Sequence, residues 1–369
     1  MNRFVLLLFL FCLGRGGVTA QILNDPATQQ LVLECVEKCY NYEFKESEEL
    51  LKKIKAKYPN HPVTTLMPAN VLYWQHLPLK DNAQANAQYV KLMNQCVAQG
   101  EALLRQGYEV EGNFFVLAGH SFLAMNEADQ GNLIKAVGNA KNAYSYMKKG
   151  FKLMEKNPEF YFSTGLFNYY IEQYPEDHSI VKPFMLFFQD GDKKLGLQQL
   201  EIAVNRAIFT KVEAAYYLVY IYLKHENNLV KALQFSTYLN QKYPNNPLYT
   251  TRHTEGLLLS GKFNEAEPFA QALLKKTGKV FPVAGQIFTG IIQEKFHKND
   301  KVATEYYQRA LKMPFDERFT KDYHAFAYCG LARIADRAGD KALAKVYYKK
   351  ALSLAEYTST KIEANRYLK

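Results

Sequence analysis

Long apolar runs are scarce in this 369-residue sequence. The longest, Phe4 to Leu13, falls well short of the roughly twenty residues that a membrane-spanning helix needs, and no later stretch reaches that length without charges. Cysteine is scarce too. Five are present, and Cys12 sits in the leading apolar run, without the small residue before it that lipid modification would want. The other four, Cys35, Cys39, Cys96 and Cys329, are too few for a small disulfide-framed domain, and their pairing is left open. Cys35 and Cys39 are four apart, on one face of a predicted helix. With no second Cys or His pair at ligand spacing beside them, they read as buried thiols rather than a metal or redox site.

The motifs of chemistry are missing as well. No glycine-rich phosphate loop, no Gly-x-Ser-x-Gly elbow and no His-Glu-x-x-His occurs, and His225-Glu226 lacks the second histidine. The eight histidines are dispersed. His120-Ser121 and Asp177-His178-Ser179 each lack a third partner in the sequence, so neither makes a nucleophilic site. No cofactor is implied, and the expectation is a protein that is not an enzyme. Charge of one sign never runs to five residues, so the formal +10 reads as solvated helix faces and not as a nucleic-acid surface. Alternating β patterns are absent, which excludes a sheet fold. Asn-x-Ser/Thr acceptors are absent, which favours a bacterial origin for an exported chain.

Export is read from the first residues. Met1-Asn2-Arg3, the apolar run, then Gly14 to Ala20 with small residues at its end have the order of a secretory signal peptide, with cleavage after Ala20. Loss of Arg3 and Arg15 lowers the formal charge from +10 to +8. The expected location is periplasmic, outer-membrane-associated or secreted, with peripheral membrane association left open.

The remaining chain is rich in helical periodicity. Its clearest unit, Phe326 to Leu352, reads as an amphipathic helix, a Gly339-Asp340 turn and a second helix. Ala332 and Ala344 lie twelve apart, with Tyr348 and Ala351 four and seven residues after Ala344. Antiparallel helices approach closely where small side chains face each other, and the aromatic fills the gap to the next pair. Upstream, Ala232 is followed by Ala266 after 34 residues, by Ala303 after 37 more and by Ala344 after another 41, the last excess falling at Met313 to Phe319. This frame resembles the tetratricopeptide repeat family, and it predicts four hairpins over 211–356.

An echo of Tyr243-Pro244-Asn245-Asn246-Pro247 in Tyr58-Pro59-Asn60-His61-Pro62 predicts a further hairpin over 27–60, with Cys35 and Ser47 at its small positions and Phe44 near its turn. Between 63 and 207 the period dissolves into longer helices, Ala83 to Gln106 and Leu133 to Lys156 the clearest. The stretch 160–203, with Gly165-Leu-Phe-Asn and a later Gly191-Asp and Gly196-Leu, is similar to a eukaryotic tetratricopeptide family of outer-mitochondrial-membrane and lipid-body proteins. The expected organisation is an all-α, helical-hairpin α-solenoid: signal peptide 1–20, N-terminal helical region 21–207, C-terminal array 208–369.

Twenty-seven Tyr and 24 Phe stand against one Trp, and most are expected between helices, Tyr216, Tyr220, Tyr307, Tyr347 and Tyr348 among them. The resemblance implies that ligands face the first helix of each hairpin. On this sequence those positions are Tyr217, Ile221, Lys224 and His225, then Thr251 and Glu255, then Arg333, Asp336 and Arg337. Their mixed charge suits a protein or peptide partner, so a non-catalytic binding or assembly scaffold of the bacterial envelope is the expectation. The alternative is a glycan-binding or glycan-processing accessory protein that uses the aromatic stretch Phe160 to Tyr174, with Tyr169 and Tyr170.

Overall fold

A computed structural model describes residues 21–177, 182 and 188–369, so the signal segment and His178-Ser179 lie outside the described residues. Among those described the chain is all-α, with no strand. In chain order the helices are α1 (Pro26–Tyr40), α2 (Phe44–Lys57), α3 (Val63–Gln75), α4 (Ala83–Arg105), α5 (Glu109–Asp129), α6 (Leu133–Gly150), α7 (Phe160–Asp177), α8 (Lys193–Arg206), α9 (Lys211–Lys224), α10 (Leu229–Lys242), α11 (Pro247–Leu259), α12 (Phe263–Leu274), α13 (Phe281–Lys295), α14 (Asp300–Leu311), α15 (Lys321–Arg337), α16 (Lys341–Leu354) and α17 (Thr358–Leu368). Successive helices pair as antiparallel hairpins, and the odd-numbered ones also pack on one another, α7 on α9, α9 on α11, α11 on α13 and α13 on α15. This is a helical-hairpin solenoid with the odd helices as its inner layer.

The spacing of small residues accounts for the C-terminal half. Ala232, Ala266, Ala303, Ala332, Ala344 and Ala351 are all fully buried, and Tyr348 is buried beside them. In the first hairpin the Cys35 carbonyl accepts from Ser47 Oγ at 2.9 Å, and Cys35 Sγ lies 3.3 Å from the Ser47 carbonyl, the crossing that the echo motif predicts. Phe44 opens α2 instead of lying in the turn. Asp340 caps α16 by accepting from Leu343 N, and Gly339 supplies the left-handed backbone of that turn, φ 85°.

The middle of the chain consists of antiparallel helices as well, and two of its crossings, α4 on α5 and α7 on α8, are built on a different contact. Here glycines replace the alanines. A Cβ on Gly112 would stand 2.8 Å from the Gly100 carbonyl oxygen, and one on Gly196 would stand 2.7 Å from both the Gly165 carbonyl oxygen and Tyr169 N. Backbones that close leave no room for a methyl, and the 34-residue alanine frame is therefore not visible there. α6 ends at Gly150, short of Lys156, and Phe151 to Lys156 form turns; the Phe160 ring packs on Gly150, 2.7 Å from where a Cβ would stand. One core runs from Ile22 to Tyr357 across residue 207, with a smaller cluster around Tyr348 and Ala364 on α17.

The Gly196→Ala variant should lose about 1–3 kcal/mol of unfolding free energy through overpacking, read by urea denaturation. Gly138→Ala, on an exposed part of α6 with nothing near its absent Cβ, should be neutral or gain about 0.5–1 kcal/mol.

Candidate functional site

Side chains of helix α9 reach residues near both ends of the described chain. Near its N-terminus Glu213 accepts from Tyr40 Oη of α1 at 2.6 Å. At its C-terminus Lys224 is buried between Asp322 of α15, 3.2 Å away, and Glu356, just beyond α16, and it also donates to Tyr220 Oη. Burial by itself would push the Lys224 ammonium toward neutrality. Asp322, the Tyr220 hydroxyl and Glu356 outweigh it and hold the group cationic, well above the ordinary lysine value.

The loop entering α9 is tied from below. Buried Glu159 accepts from the backbone N–H groups of Ile208, Phe209 and Thr210 at 2.7, 3.0 and 2.9 Å and from Thr210 Oγ1 at 2.7 Å, satisfying donors at a helix start that has no side-chain cap of its own.

Residues Met313 to Phe319, the excess over the repeat, close the ring. Asp316 accepts from Arg318 N at 2.9 Å and Phe319 N at 3.0 Å and pairs with Lys80 at 2.6 Å, while Arg318 reaches across to Asp129 and Met125 at the end of α5. A second bridge, Lys279 to Asp81 at 2.9 Å, runs alongside. The solenoid thus curls until its two halves touch.

Inside the curl is a hollow of two adjoining lobes, about 540 and 520 Å³, each in the range of small-molecule sites, roughly 300–1,000 Å³. They meet at Tyr170, Tyr216, Tyr217, Arg318 and Phe319, which line both. One lobe is the more polar, with Tyr220, Lys224, Arg252 and Lys321 on its wall. The other is apolar, partly open, and lies between α5 on one side and α3 and α7 on the other. Phe114, Leu117, Phe122 and Met125 of α5 face Tyr73 and Trp74 of α3 and Phe162, Leu166 and Phe167 of α7 across it. Its polar lining is the smaller part: Asn70, Ser121, Ser163 and Thr210, the carboxylates Glu159 and Glu213, Arg318, and the hydroxyls of its tyrosines. Burial raises the Glu213 carboxyl above its ordinary value, and the Tyr40 hydroxyl and Arg318 only partly oppose this.

The residues implied by the family frame separate on this structure. Tyr217 lines both lobes, and Lys224 and His225 line the polar one. Ile221 and Thr251 are shut in the core, and Glu255 is buried in an ion pair with Arg252 at 2.8 Å. Arg333 and Arg337 gather on Glu294, with Glu363 and Asp300 as further partners, and Asp336 accepts from Tyr367 Oη at 2.7 Å. None of these six lines the hollow. The aromatic stretch 160–174 contributes Phe162, Phe167, Tyr170 and Tyr174 to its walls, so Tyr217 and Tyr170, drawn from two rival expectations, share one space. Tyr169 is buried and donates to Glu226 at 2.5 Å. Of the tyrosines expected between hairpins, Tyr307 and Tyr348 pack there, while Tyr216 and Tyr220 line the hollow.

Sequence reasoning missed Arg252, Arg318, Phe319, Glu213 and the whole α3–α5 wall. One signal was present. A seven-residue excess inside a regular array marks a segment with work of its own, since repeat insertions gather on one face.

His120 is engaged by Asn139, Nδ1 to Oδ1 at 2.9 Å, and Ser121 is exposed on the apolar lobe's wall. The four described cysteines are free and buried, and burial pushes Cys35 up to about 11 and Cys96 and Cys329 up to about 12, so none is a ready nucleophile. Among the described residues no three His, Cys, Asp or Glu converge as metal ligands, and no helix is long and apolar enough to cross a membrane. No protein-family model and no curated protein matches this sequence.

Asp316 provides a pH test of the closure. Burial pushes its carboxyl up, but Lys80 and the N–H groups of Phe319 and Arg318 pull it below the ordinary value of 3.8. A depressed carboxylate stabilises the fold fully above its unfolded value and loses that contribution as pH falls through the folded one. Asp316→Asn should therefore cost about 2 kcal/mol at pH 7, with the difference from wild type closing below pH about 4 in urea titrations.

Proposed function

We propose that this chain is a non-catalytic binding module of tetratricopeptide type, exported to a bacterial envelope, whose ligand places a hydrocarbon group inside the hollow. The observation that carries this reading is the apolar lobe, walled by rings and aliphatic side chains from α3, α5, α6 and α7 and poor in polar partners.

That lining separates the ligand classes. A glycan would leave many hydroxyls unpaired against Phe114, Leu117, Phe122 and Leu166. An extended peptide would do the same with its N–H and C=O groups, each costing about 1–3 kcal/mol when buried without a partner. A methylene chain has no such groups and gains about 0.8 kcal/mol per buried CH2. The proposed ligand is accordingly an amphiphile, its chain in the apolar lobe and its polar end toward Arg318, Lys224 and Arg252. The export assignment rests on the order of residues 1–20, and the family assignment on the buried alanine frame.

N-phenyl-1-naphthylamine, a neutral apolar fluorophore, should bind residues 21–369 saturably with one site. Ala118→Trp, or Ser121→Trp if the first unfolds early, should fill the lobe and weaken binding at least about tenfold, a change of roughly 1.4 kcal/mol. Arg337→Ala, outside the hollow, should leave the affinity unchanged. Absence of saturable binding by the folded protein, or equal binding by the filled variants, contradicts the reading.

A further inference from the structure

Helix α6 carries an apolar stripe on its outer surface that, among the described residues, no other element covers. Leu133 and Val137 are each 68% exposed and Ile134 is 91% exposed, a degree unusual for adjacent aliphatic residues on one helix. Leu133, Val137, Ala140 and Tyr144 follow the i, i+4, i+7, i+11 spacing of a single helix face. The last two of these line the apolar lobe, so the stripe runs from open surface into the rim of the hollow.

The same helix has four lysines, Lys135, Lys141, Lys148 and Lys149, all exposed, and no acidic residue. Lys141 and Lys148 fall beside the stripe on the helical wheel. Two acids at the end of α5, just before this helix, are already engaged: Asp129 holds Arg318, and Glu127 accepts from Asn132 Nδ2 at 2.8 Å. An apolar stripe beside lysines, on a helix of low overall hydrophobicity, is the pattern that seats in a headgroup layer, with long lysine stems reaching back to anionic phosphates.

From this charge complementarity, and from the continuity of the stripe with the apolar lobe, we propose that α6 docks this protein on a membrane surface bearing anionic headgroups, with the mouth of the hollow against the lipid. The source of the ligand follows only if the hollow is the binding site proposed above. The docking itself stands on the stripe and its lysines.

The test is co-sedimentation of residues 21–369 with vesicles of phosphatidylcholine containing about a third phosphatidylglycerol, against vesicles of phosphatidylcholine alone. Wild type should bind the anionic vesicles at least about tenfold more tightly, since each lysine near such a surface contributes about fivefold, and the preference should shrink with added salt. The exposed double variant Ile134→Asp/Val137→Asp should lose vesicle binding. Lys141→Ala/Lys148→Ala should lose the preference for phosphatidylglycerol. Both should keep wild-type N-phenyl-1-naphthylamine affinity, which certifies an intact fold and hollow. Equal binding to both vesicles, retention by the Asp variant, or a wild-type dimer in sedimentation velocity that the Asp variant abolishes without any vesicle binding by wild type would each overturn the proposal.

Discussion

Lys224 is the cation on which the curvature of this molecule depends. It sits at the end of α9, midway along the chain, and its two carboxylate partners come from the far end, Asp322 on α15 and Glu356 after α16. Removing one side of such a buried group strands the other, at a typical cost of about 3–5 kcal/mol, so the start and the end of the C-terminal array are held in a fixed relation. With Tyr40 joined to Glu213 and Arg318 to Asp129, the pairing turns an array that would otherwise expose its inner helices along a groove into a ring around a hollow. The ionic contacts close the ring and reach the wall of one lobe, while the other lobe is lined mainly by rings and hydrocarbon.

That curvature explains why the family frame located some wall residues and not others. The frame identifies the first helix of each hairpin correctly, but tight curling buries part of each inner face against the next helix. Ile221, Thr251 and Glu255 are lost to packing in this way, whereas Tyr217 and Lys224, on the side of α9 toward the axis, remain on the wall. Arg333 and Arg337 belong to a hairpin beyond the closure, and Glu294 gathers their charge. Residues 160–174 stand out in the sequence by their aromatic content, and their contribution to the hollow follows from α7 standing opposite α5.

The alanine positions were legible because each reports one local contact between two helices: small side chains twelve residues apart meet across a turn. The Gly100–Gly112 and Gly165–Gly196 crossings make the same contact more closely, but a glycine in a helix does not by itself signal a partner. The hollow was illegible for a different reason. Its walls come from α3, α5, α6, α7, α9 and the 313–319 segment, brought together by contacts such as Lys80 with Asp316 and Arg318 with Asp129, which span 236 and 189 residues of chain. No periodicity encodes such pairs. The irregular spacing before Ala344 was visible, and its meaning appears only once the loop is seen to plug the ring.

The central claim is that the apolar lobe is a binding space and not a packing defect. A crystal structure of residues 21–369 grown with 1-bromododecane tests it most directly, because anomalous scattering places the bromine without assumptions about the chain. The account predicts one principal bromine peak within the hollow, bounded by Phe122, Tyr144, Leu166 and Tyr217, with the ring closure through Arg318 and Asp129 intact. Bromine found only on the outer surface, or a lobe filled by the protein's own side chains, would contradict it.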